Sequence, residues 1–176
     1  ILVFSDKEIV DDSLNNISNS YFSLKKISKS WHYKLEQLCQ QNVISGCTSL
    51  INRALLEKAL PIPEQAYMHD WWLALVASKC GRIEFIDQAL IQYRQHNNNT
   101  IGANKRKRLQ LITQFSHHLT EFEKSFAAVV TQAKMFTVFE KNNKLPANKT
   151  IQTLANIYNF SRYQRIVFFV KKVITR

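Results

Sequence analysis

The chain has 176 residues, of which 45% are hydrophobic, and a formal net charge of +11. A chain of this length and apolar content can bury a core, which excludes intrinsic disorder as its main state. Cys39, Cys47 and Cys80 lack CxxC spacing and complete no zinc pattern with the histidines, so they are predicted to be reduced, buried thiols. No segment reaches the roughly 20 apolar residues that span a bilayer.

The charge is unevenly distributed along the chain. Residues 1–100 hold ten basic and ten acidic side chains, whereas residues 101–176 hold fourteen basic side chains and three acidic ones. All three glycines lie between residues 46 and 102, so turns belong mainly to the first part. The sequence therefore predicts two regions with different roles.

The chain opens on an apolar run, Ile1–Phe4, which is closed by Ser5 and Asp6. This pattern is typical of a buried strand with a polar residue at its carboxyl end. Because the run begins without a methionine, we expect the sequence to be a piece of a longer chain. Residues 7–30 are rich in Asp, Asn, Ser and Lys and are predicted to form a loop with irregular helix.

Two helices are predicted in the next segment. Apolar spacing from Trp31 to Leu38 indicates a helix that ends near Asn42. The sequence VISGCTSLINRALLEKAL then predicts a turn at Gly46 and a helix stopped by Pro61, because proline cannot continue a helix.

The stretch YMHDWWLALVASKCG, residues 67–81, predicts a short buried helix that ends at Gly81. Asp70 lies in its first turn, where a carboxylate favours the positive end of the helix. Helix capping is one explanation of Asp70, and a functional carboxylate is the other.

After this helix, the segment Arg82–Arg94 contains two strand-like pieces, IEFI and ALIQY. They are predicted to lie at the edge of a sheet or in a mixed sheet. The segment QHNNNTIG that follows is predicted to be a loop, and loops of this kind often carry function.

Three of these segments occur in a family-specific order: GCTSLINRAL, MHDWWLALVASKCGRIEFID and ALIQYRQHNNNTIGA. Together they resemble the second half of bacterial family-two inverting glycosyltransferases, especially the rhamnosyltransferase-like members. The opening FSDKEIVDDSL resembles the strand that follows the metal-binding DxD segment of those enzymes. The resemblance implies an α/β fold in which residues 1–103 form the acceptor-side, carboxyl-terminal part of a GT-A domain. Residues 104–176 are then a mostly helical basic extension.

The resemblance also implies roles for single residues. Asp70 matches the general base that takes a proton from the acceptor hydroxyl, and His96 matches a histidine that could ligate a divalent metal. Arg94 could neutralise the diphosphate, and the tryptophans could stack on a sugar face. The implied substrate-binding residues are Gly46, Cys47, Thr48, His69, Trp71, Trp72, Tyr93 and Arg94.

Structural explanations stay open for several of these residues. His69 could be only a polar neighbour of the cleft, and at least one of the two tryptophans should belong to the core. Arg94 could form an ordinary salt bridge, and His96 could be solvated.

The sequence departs from the family in lacking the nucleotide-binding half and its DxD segment. Asp6, Asp11 and Asp12 are predicted to be turn and capping residues rather than metal ligands. We therefore expect Mg²⁺ or Mn²⁺ to be a cofactor of the full-length parent, and no cofactor in this fragment. The fragment alone is expected to be inactive.

A regular apolar stripe begins in the second region. From Ile112 to Phe136 the apolar positions alternate spacings of three and four residues, which predicts one long helix. Pro146 ends it, and Asn148 or Thr150 could cap a second helix. The stripe could pair with a partner helix, including the long helix of a second copy.

The carboxyl-terminal segment, residues 162–176, has an Ile/Val face and a basic face. A basic amphipathic helix can lie on an anionic membrane surface, and the same Ile/Val face could instead pack on the long helix or on a second copy of the protein. The resemblance implies two partners, a nucleotide-sugar donor such as dTDP-rhamnose and a glycan or lipid-linked acceptor, and the basic face adds an anionic membrane surface as a third candidate. The expected location is the cytoplasm or the cytoplasmic face of a bacterial inner membrane.

A second functional class is a non-enzymatic basic helical module that binds nucleic acid or a partner helix. The charge is compatible with phosphate binding. However, the helical aromatic residues lie on the apolar stripe rather than among the lysines, and no known nucleic-acid motif is present, so nucleic acid is not expected as a partner. This class also leaves the three linked segments at residues 46–102 unexplained.

Overall fold

A computed structural model describes residues 1–95, 115–161 and 163–164. Its centre is a four-stranded mixed sheet, which confirms the predicted α/β class. The central strand β1 pairs antiparallel with β2 and β3 and parallel with β4. The strands are β1 (Leu2–Val10), β2 (Asn16–Ser18), β3 (Ser49–Ile51) and β4 (Ile83–Arg94).

Strand β1 is longer than predicted, since it continues through Asp6 to Val10. The buried Asp6 carboxylate is satisfied locally, because its Oδ1 accepts the backbone N–H groups of Lys7 at 2.7 Å, Tyr21 at 3.1 Å and Phe22 at 3.3 Å. This arrangement lets a charged residue lie inside the strand. The prediction of a loop with irregular helix over residues 7–30 is therefore wrong for the end of β1 and for β2, whereas the short helix α1 (Tyr21–Lys25) agrees with it.

Strand β4 is one continuous element, although two pieces were predicted. Its pairing with β1 shifts register between Ile86 and Ala89, so Asp87 and Gln88 have no partner residues in β1. These two residues separate the predicted pieces IEFI and ALIQY. The predicted break thus marks a bulge within a single strand.

Short helical segments replace the helix that was predicted from Trp31 to Asn42. The chain forms a 3₁₀ turn at Trp31–Tyr33 and a four-residue helix α2 (Leu35–Leu38). His32 is buried in the first segment, where its ring lies edge-on to Phe4 at 5.3 Å. The His32 side chain is thus buried against the sheet, and the segment does not form the regular amphipathic helix that was predicted.

The next two predicted helices are confirmed. Helix α3 (Arg53–Ala59) begins at Asn52, whose side chain accepts the Leu55 N–H at 3.1 Å, and it ends before Pro61. Helix α4 (His69–Cys80) ends at Gly81, whose N–H donates to the Ala77 carbonyl at 2.9 Å. Consecutive residues of α4 are buried, from Ala74 to Ala77, so it is a core helix rather than an amphipathic one.

The predicted long helix is confirmed as α5 (Phe115–Asn142), and Asn148 caps α6 (Lys149–Ala155) as predicted. The Asn148 side chain accepts the Thr150 N–H at 3.0 Å and the Ile151 N–H at 3.1 Å. Helix α5 packs on α6 and also reaches α4, where the Trp72 ring lies edge-on to Phe136 at 5.8 Å. One core cluster thus joins residues from both predicted regions.

The buried face of α5 is covered within the chain. Val130, Ala133 and Phe136 are almost inaccessible to solvent, and the Glu140 carboxylate pairs with the Lys79 ammonium at 2.6 Å. Homo-oligomerisation through the long helix stays a prediction, and it would need a different face of α5. The predicted boundary at residue 103 and the basic carboxyl-terminal face at residues 162–176 lie largely outside the described residues.

Two further sequence predictions are tested by the structure. All three cysteines are thiols outside disulfide bonds, but only Cys39 is buried, and the prediction of buried thiols is wrong for Cys47 and Cys80. Within the described ranges, no helix is long and apolar enough to cross a membrane.

The buried His32 predicts an acid-dependent loss of stability. Burial lowers the pKa of its imidazole below the usual 6.5. Above pH 6.5 the folded and unfolded chains both hold a neutral ring. Between pH 6.5 and the lowered pKa only the unfolded chain binds the proton, so the free energy of unfolding falls by up to about 1.4 kcal/mol per pH unit.

Urea unfolding at pH 7.5 and pH 5.0 measures this loss. We expect His32→Phe to lose less stability than the wild type between these two values, because phenylalanine suits the aromatic surroundings and carries no proton. Equal losses in the two proteins would contradict the assignment to His32.

Candidate active site around Asp70

A pocket of about 360 Å³ lies where five parts of the fold meet. These parts are β1, the start of α1, the segment 42–47, the start of α4 and the end of β4. The side chains at the pocket include two ionisable groups of opposite charge and two aromatic rings. The lining residues are Lys7, Tyr21, Asn42, Val43, Ile44, Ser45, Gly46, Cys47, Met68, His69, Asp70 and Tyr93.

Asp70 is held at the pocket wall by three N–H groups. Its Oδ1 accepts the Trp71 backbone N–H at 2.7 Å and the Asn42 Nδ2–H at 3.2 Å, and its Oδ2 accepts the Gly46 backbone N–H at 2.9 Å. The cap position of α4 is Met68, which makes no side-chain capping bond. The Asp70 carboxylate thus stabilises the amino-terminal end of α4, and its hydrogen bonds also connect that helix to the segment 42–46.

Gly46 permits this close approach. A Cβ atom placed on Gly46 would lie 3.0 Å from His69 Nε2 and 3.6 Å from Asp70 Oδ2. Any side chain here would therefore occupy the space between the turn and the helix. Glycine suits the predicted turn because of the limited space, and not because of a left-handed backbone.

Lys7 is the second ionisable group of the pocket. Its ammonium donates to Ser45 Oγ at 2.6 Å and lies over the rings of Tyr21 and Tyr93, at 4.5 and 4.3 Å from the centroids. Burial lowers the pKa of this ammonium, and the nearby Cys47, Asp70 and Asp6 oppose the shift. The cation is thus surrounded by groups that favour its charge.

The two tyrosines are held in their neutral form. Burial raises the pKa of Tyr21, with a contribution from Tyr93, and burial also raises the pKa of Tyr93, with a contribution from Cys47. The phenol groups therefore stay protonated to higher pH than a free tyrosine. At neutral pH they can donate and accept hydrogen bonds.

Several residues predicted from the resemblance meet at this pocket. They are Gly46, Cys47, His69, Asp70 and Tyr93, and all five line it. The segment 42–47 and α4 bring four of them together, and β4 carries Tyr93 to the opposite side. The structure thus assembles residues that are as much as 47 positions apart in the sequence.

Both tryptophans belong to the core, so their predicted role in sugar stacking is wrong. Trp71 is 3% exposed and Trp72 is 1% exposed. Their indole N–H groups donate to backbone carbonyls, from Trp71 to Leu38 at 2.5 Å and from Trp72 to Ala59 at 3.0 Å. Neither ring can meet a ligand in this arrangement.

The other predicted site residues lie beside the pocket or beyond the described chain. The Thr48 hydroxyl donates to the Ser45 carbonyl at 3.1 Å and so stabilises the turn without lining the pocket. Arg94 follows Tyr93 on β4 and is exposed. His96, predicted as a metal ligand, lies outside the described residues.

A divalent metal was expected only in the full-length parent. In residues 1–95 and 115–164, as far as these are described, no group of three or more His, Cys, Asp or Glu side chains could hold a metal ion. Asp6 and Asp11 instead accept backbone N–H groups, as their predicted turn and capping roles require. The described side chains therefore give no basis for assigning a metal ion to the pocket.

Seven of the twelve pocket residues were not identified from the sequence, and the four polar ones are Lys7, Tyr21, Asn42 and Ser45. The first three lay in segments predicted as loop or as the end of a helix. Only Ser45 had a nearby signal, since it directly precedes the GCT turn.

No protein-family model, curated protein or solved structure matches the chain.

Proposed function

We propose that the pocket is the acceptor side of the active site of an inverting glycosyltransferase of the bacterial family-two type, built on the carboxyl-terminal part of a GT-A domain. The parent protein transfers a sugar, rhamnose in the most specific form of the proposal, from a nucleotide-sugar donor. The acceptor is a growing surface glycan or a lipid-linked glycan. The residues that bind the nucleotide belong to a part of the parent outside this sequence.

The observation that carries the proposal is the unused capacity of the Asp70 carboxylate. A carboxylate has about four acceptor positions, and the three N–H groups around Asp70 occupy two on Oδ1 and one on Oδ2. One position on Oδ2 is left, on a partly buried side chain that lines a pocket. A fixed carboxylate with one free acceptor position is suited to a hydroxyl group.

The chemistry assigned to Asp70 is general base catalysis. As the acceptor oxygen attacks the anomeric carbon, its proton moves to Asp70 Oδ2, and a new C–O bond forms. The bond from the anomeric carbon to the nucleoside diphosphate breaks at the same time, so the configuration inverts. Because the three N–H groups fix the carboxylate in advance, little reorganisation is needed when the hydroxyl binds.

Product analysis tests the proposal. The full-length parent is incubated with a panel of nucleotide sugars and its glycan acceptor, and nucleoside diphosphate release and the anomeric configuration of the product are measured. We expect one donor to be consumed with inversion at the anomeric carbon. Consumption of no donor, or transfer with retention, would contradict the assignment.

A further inference from the structure

The Lys7 ammonium lies between two aromatic rings of the pocket. Its Nζ is 4.5 Å from the ring centroid of Tyr21 on α1 and 4.3 Å from that of Tyr93 on β4. A cation within about 6 Å of an aromatic centroid is attracted to the ring, most strongly where water is excluded. Lys7 is one of the few buried charged side chains among the described residues. The two favourable ring contacts help to offset the free-energy cost of burying its charge.

These contacts leave the ammonium little capacity for a ligand. An ammonium has three N–H donors, and one is directed to Ser45 Oγ at 2.6 Å. The two tyrosine rings lie 4.5 and 4.3 Å from the same ammonium nitrogen. Lys7 is therefore placed to hold the rings rather than to bind an anion from the pocket.

The tyrosines, in contrast, have groups available for a ligand. Both rings line the pocket beside Asp70, and each is partly exposed. Among the described residues, neither phenol hydroxyl has a hydrogen-bond partner. A partly exposed aromatic surface next to free hydroxyls suits a sugar ring, whose C–H groups pack on aromatic carbon while its hydroxyls form hydrogen bonds.

We propose that Lys7 is a positioning residue that fixes Tyr21 and Tyr93 as the two walls of a subsite for a neutral pyranose ring, the acceptor sugar of the proposed reaction. This inference rests on the proposed function only for the identity of the acceptor. The pocket charge favours a neutral ring, since the positive charge of Lys7 and the negative charge of Asp70 balance each other in the lining.

Binding to the chain itself tests the subsite without an activity assay. Methyl α-rhamnopyranoside and methyl α-glucopyranoside serve as neutral probes, with the methyl glycoside of glucuronic acid as an anionic probe, in saturation-transfer NMR. We expect a neutral pyranoside to bind with a millimolar Kd and the anionic one to bind more weakly. Lys7→Met should weaken the neutral probe by about tenfold, because the rings lose the cation that holds them.

Lys25→Met is the matched control, since it removes the same charge from an exposed position in the last turn of α1. It should bind the probes like the wild type. If Lys7→Met fails to fold by circular dichroism, Tyr21→Leu replaces it and should show the same tenfold loss. Wild-type binding by a folded Lys7→Met or by Tyr21→Leu would overturn the proposal.

The pH dependence distinguishes positioning from a merely structural role. The groups facing Lys7 are Asp6 on β1, Tyr21 on α1, Cys47, Asp70 on α4 and Tyr93 on β4. Burial lowers the pKa of Lys7, so its ammonium loses the proton at a lower pH than an exposed lysine does, whereas burial raises the pKa of both tyrosines. Pyranoside binding should therefore fall as the pH rises toward 10. This fall should be absent in Lys7→Met, which still contains Cys47, and its persistence there would contradict the assignment to Lys7.

Kinetics of the parent separate this inference from the proposed function. Lys7→Met should raise the KM for the acceptor by about tenfold while kcat changes by less than about threefold. If Asp70→Asn abolishes transfer but the acceptor KM of Lys7→Met is unchanged, the positioning role of Lys7 is wrong and the proposed function stands. If neutral pyranosides bind through Lys7 but the parent transfers no sugar, the subsite stands and the transferase assignment is wrong.

Discussion

Asp70→Asn in the full-length parent is expected to lower turnover by a factor of about 10² to 10⁴, which is typical for the loss of a general base from an otherwise intact site. The asparagine amide is nearly the same size as the carboxylate, but it cannot take a proton from the acceptor hydroxyl. Turnover is measured with saturating donor and acceptor. A variant that keeps more than about a third of the wild-type kcat would refute the role of Asp70 as a base.

The fold should survive this substitution. The carbonyl of the introduced amide can still accept the N–H of Trp71 or of Gly46, but its NH₂ group would face one of the donors that the carboxylate now accepts. We therefore expect a loss of about 1 to 2 kcal/mol of stability. Asp87→Asn is the matched control, because Asp87 forms a surface pair with Lys29 at 2.5 Å and should leave turnover unchanged. Equal losses of activity in the two variants would indicate a general effect of charge.

The sequence was sufficient wherever a local signal determined the structure. Gly81 ends α4 and Pro61 follows α3 because these residues act on the backbone within one or two positions. The apolar spacing before Phe136 predicted α5 because a helix repeats its buried face regularly. Even the bulge in β4 had a local signal, since the polar pair Asp87 and Gln88 interrupts its apolar pattern.

Prediction failed where burial depends on distant residues. Lys7 was assigned to a loop because residues 7–30 are rich in polar side chains, whereas its surroundings come from Ser45 and Tyr93, far along the chain. His32 likewise lies beside Phe4 through tertiary packing. No local pattern contains such contacts. The resemblance identified five pocket residues, but it gave no information on the groups that surround Lys7.

The two tryptophans are a second case in which a local pattern did not predict the tertiary surroundings of a side chain. The resemblance implied that these residues, directly after Asp70, could contact a sugar, yet helical geometry turns successive side chains by about 100°. Residues adjacent in sequence therefore need not share a face. Asp70 is directed to the pocket, whereas Trp72 is directed to α5, where its ring lies edge-on to Phe136 and Phe139 at 5.8 and 5.6 Å.

Trp72→Ala is accordingly expected to lower the free energy of unfolding by about 3 to 5 kcal/mol, as for other large aromatic side chains removed from a core. The Ala59 carbonyl would also lose its indole donor. Since a domain of this size has only about 5 to 15 kcal/mol of stability, this loss removes a large part of it. Urea unfolding monitored by far-UV circular dichroism measures the change. Leu50→Ala is the control, because Leu50 is 74% exposed and its truncation should cost less than about 0.5 kcal/mol. A loss below about 1 kcal/mol in Trp72→Ala would show that the indole is not a core side chain, and the predicted stacking on a sugar would again need to be considered.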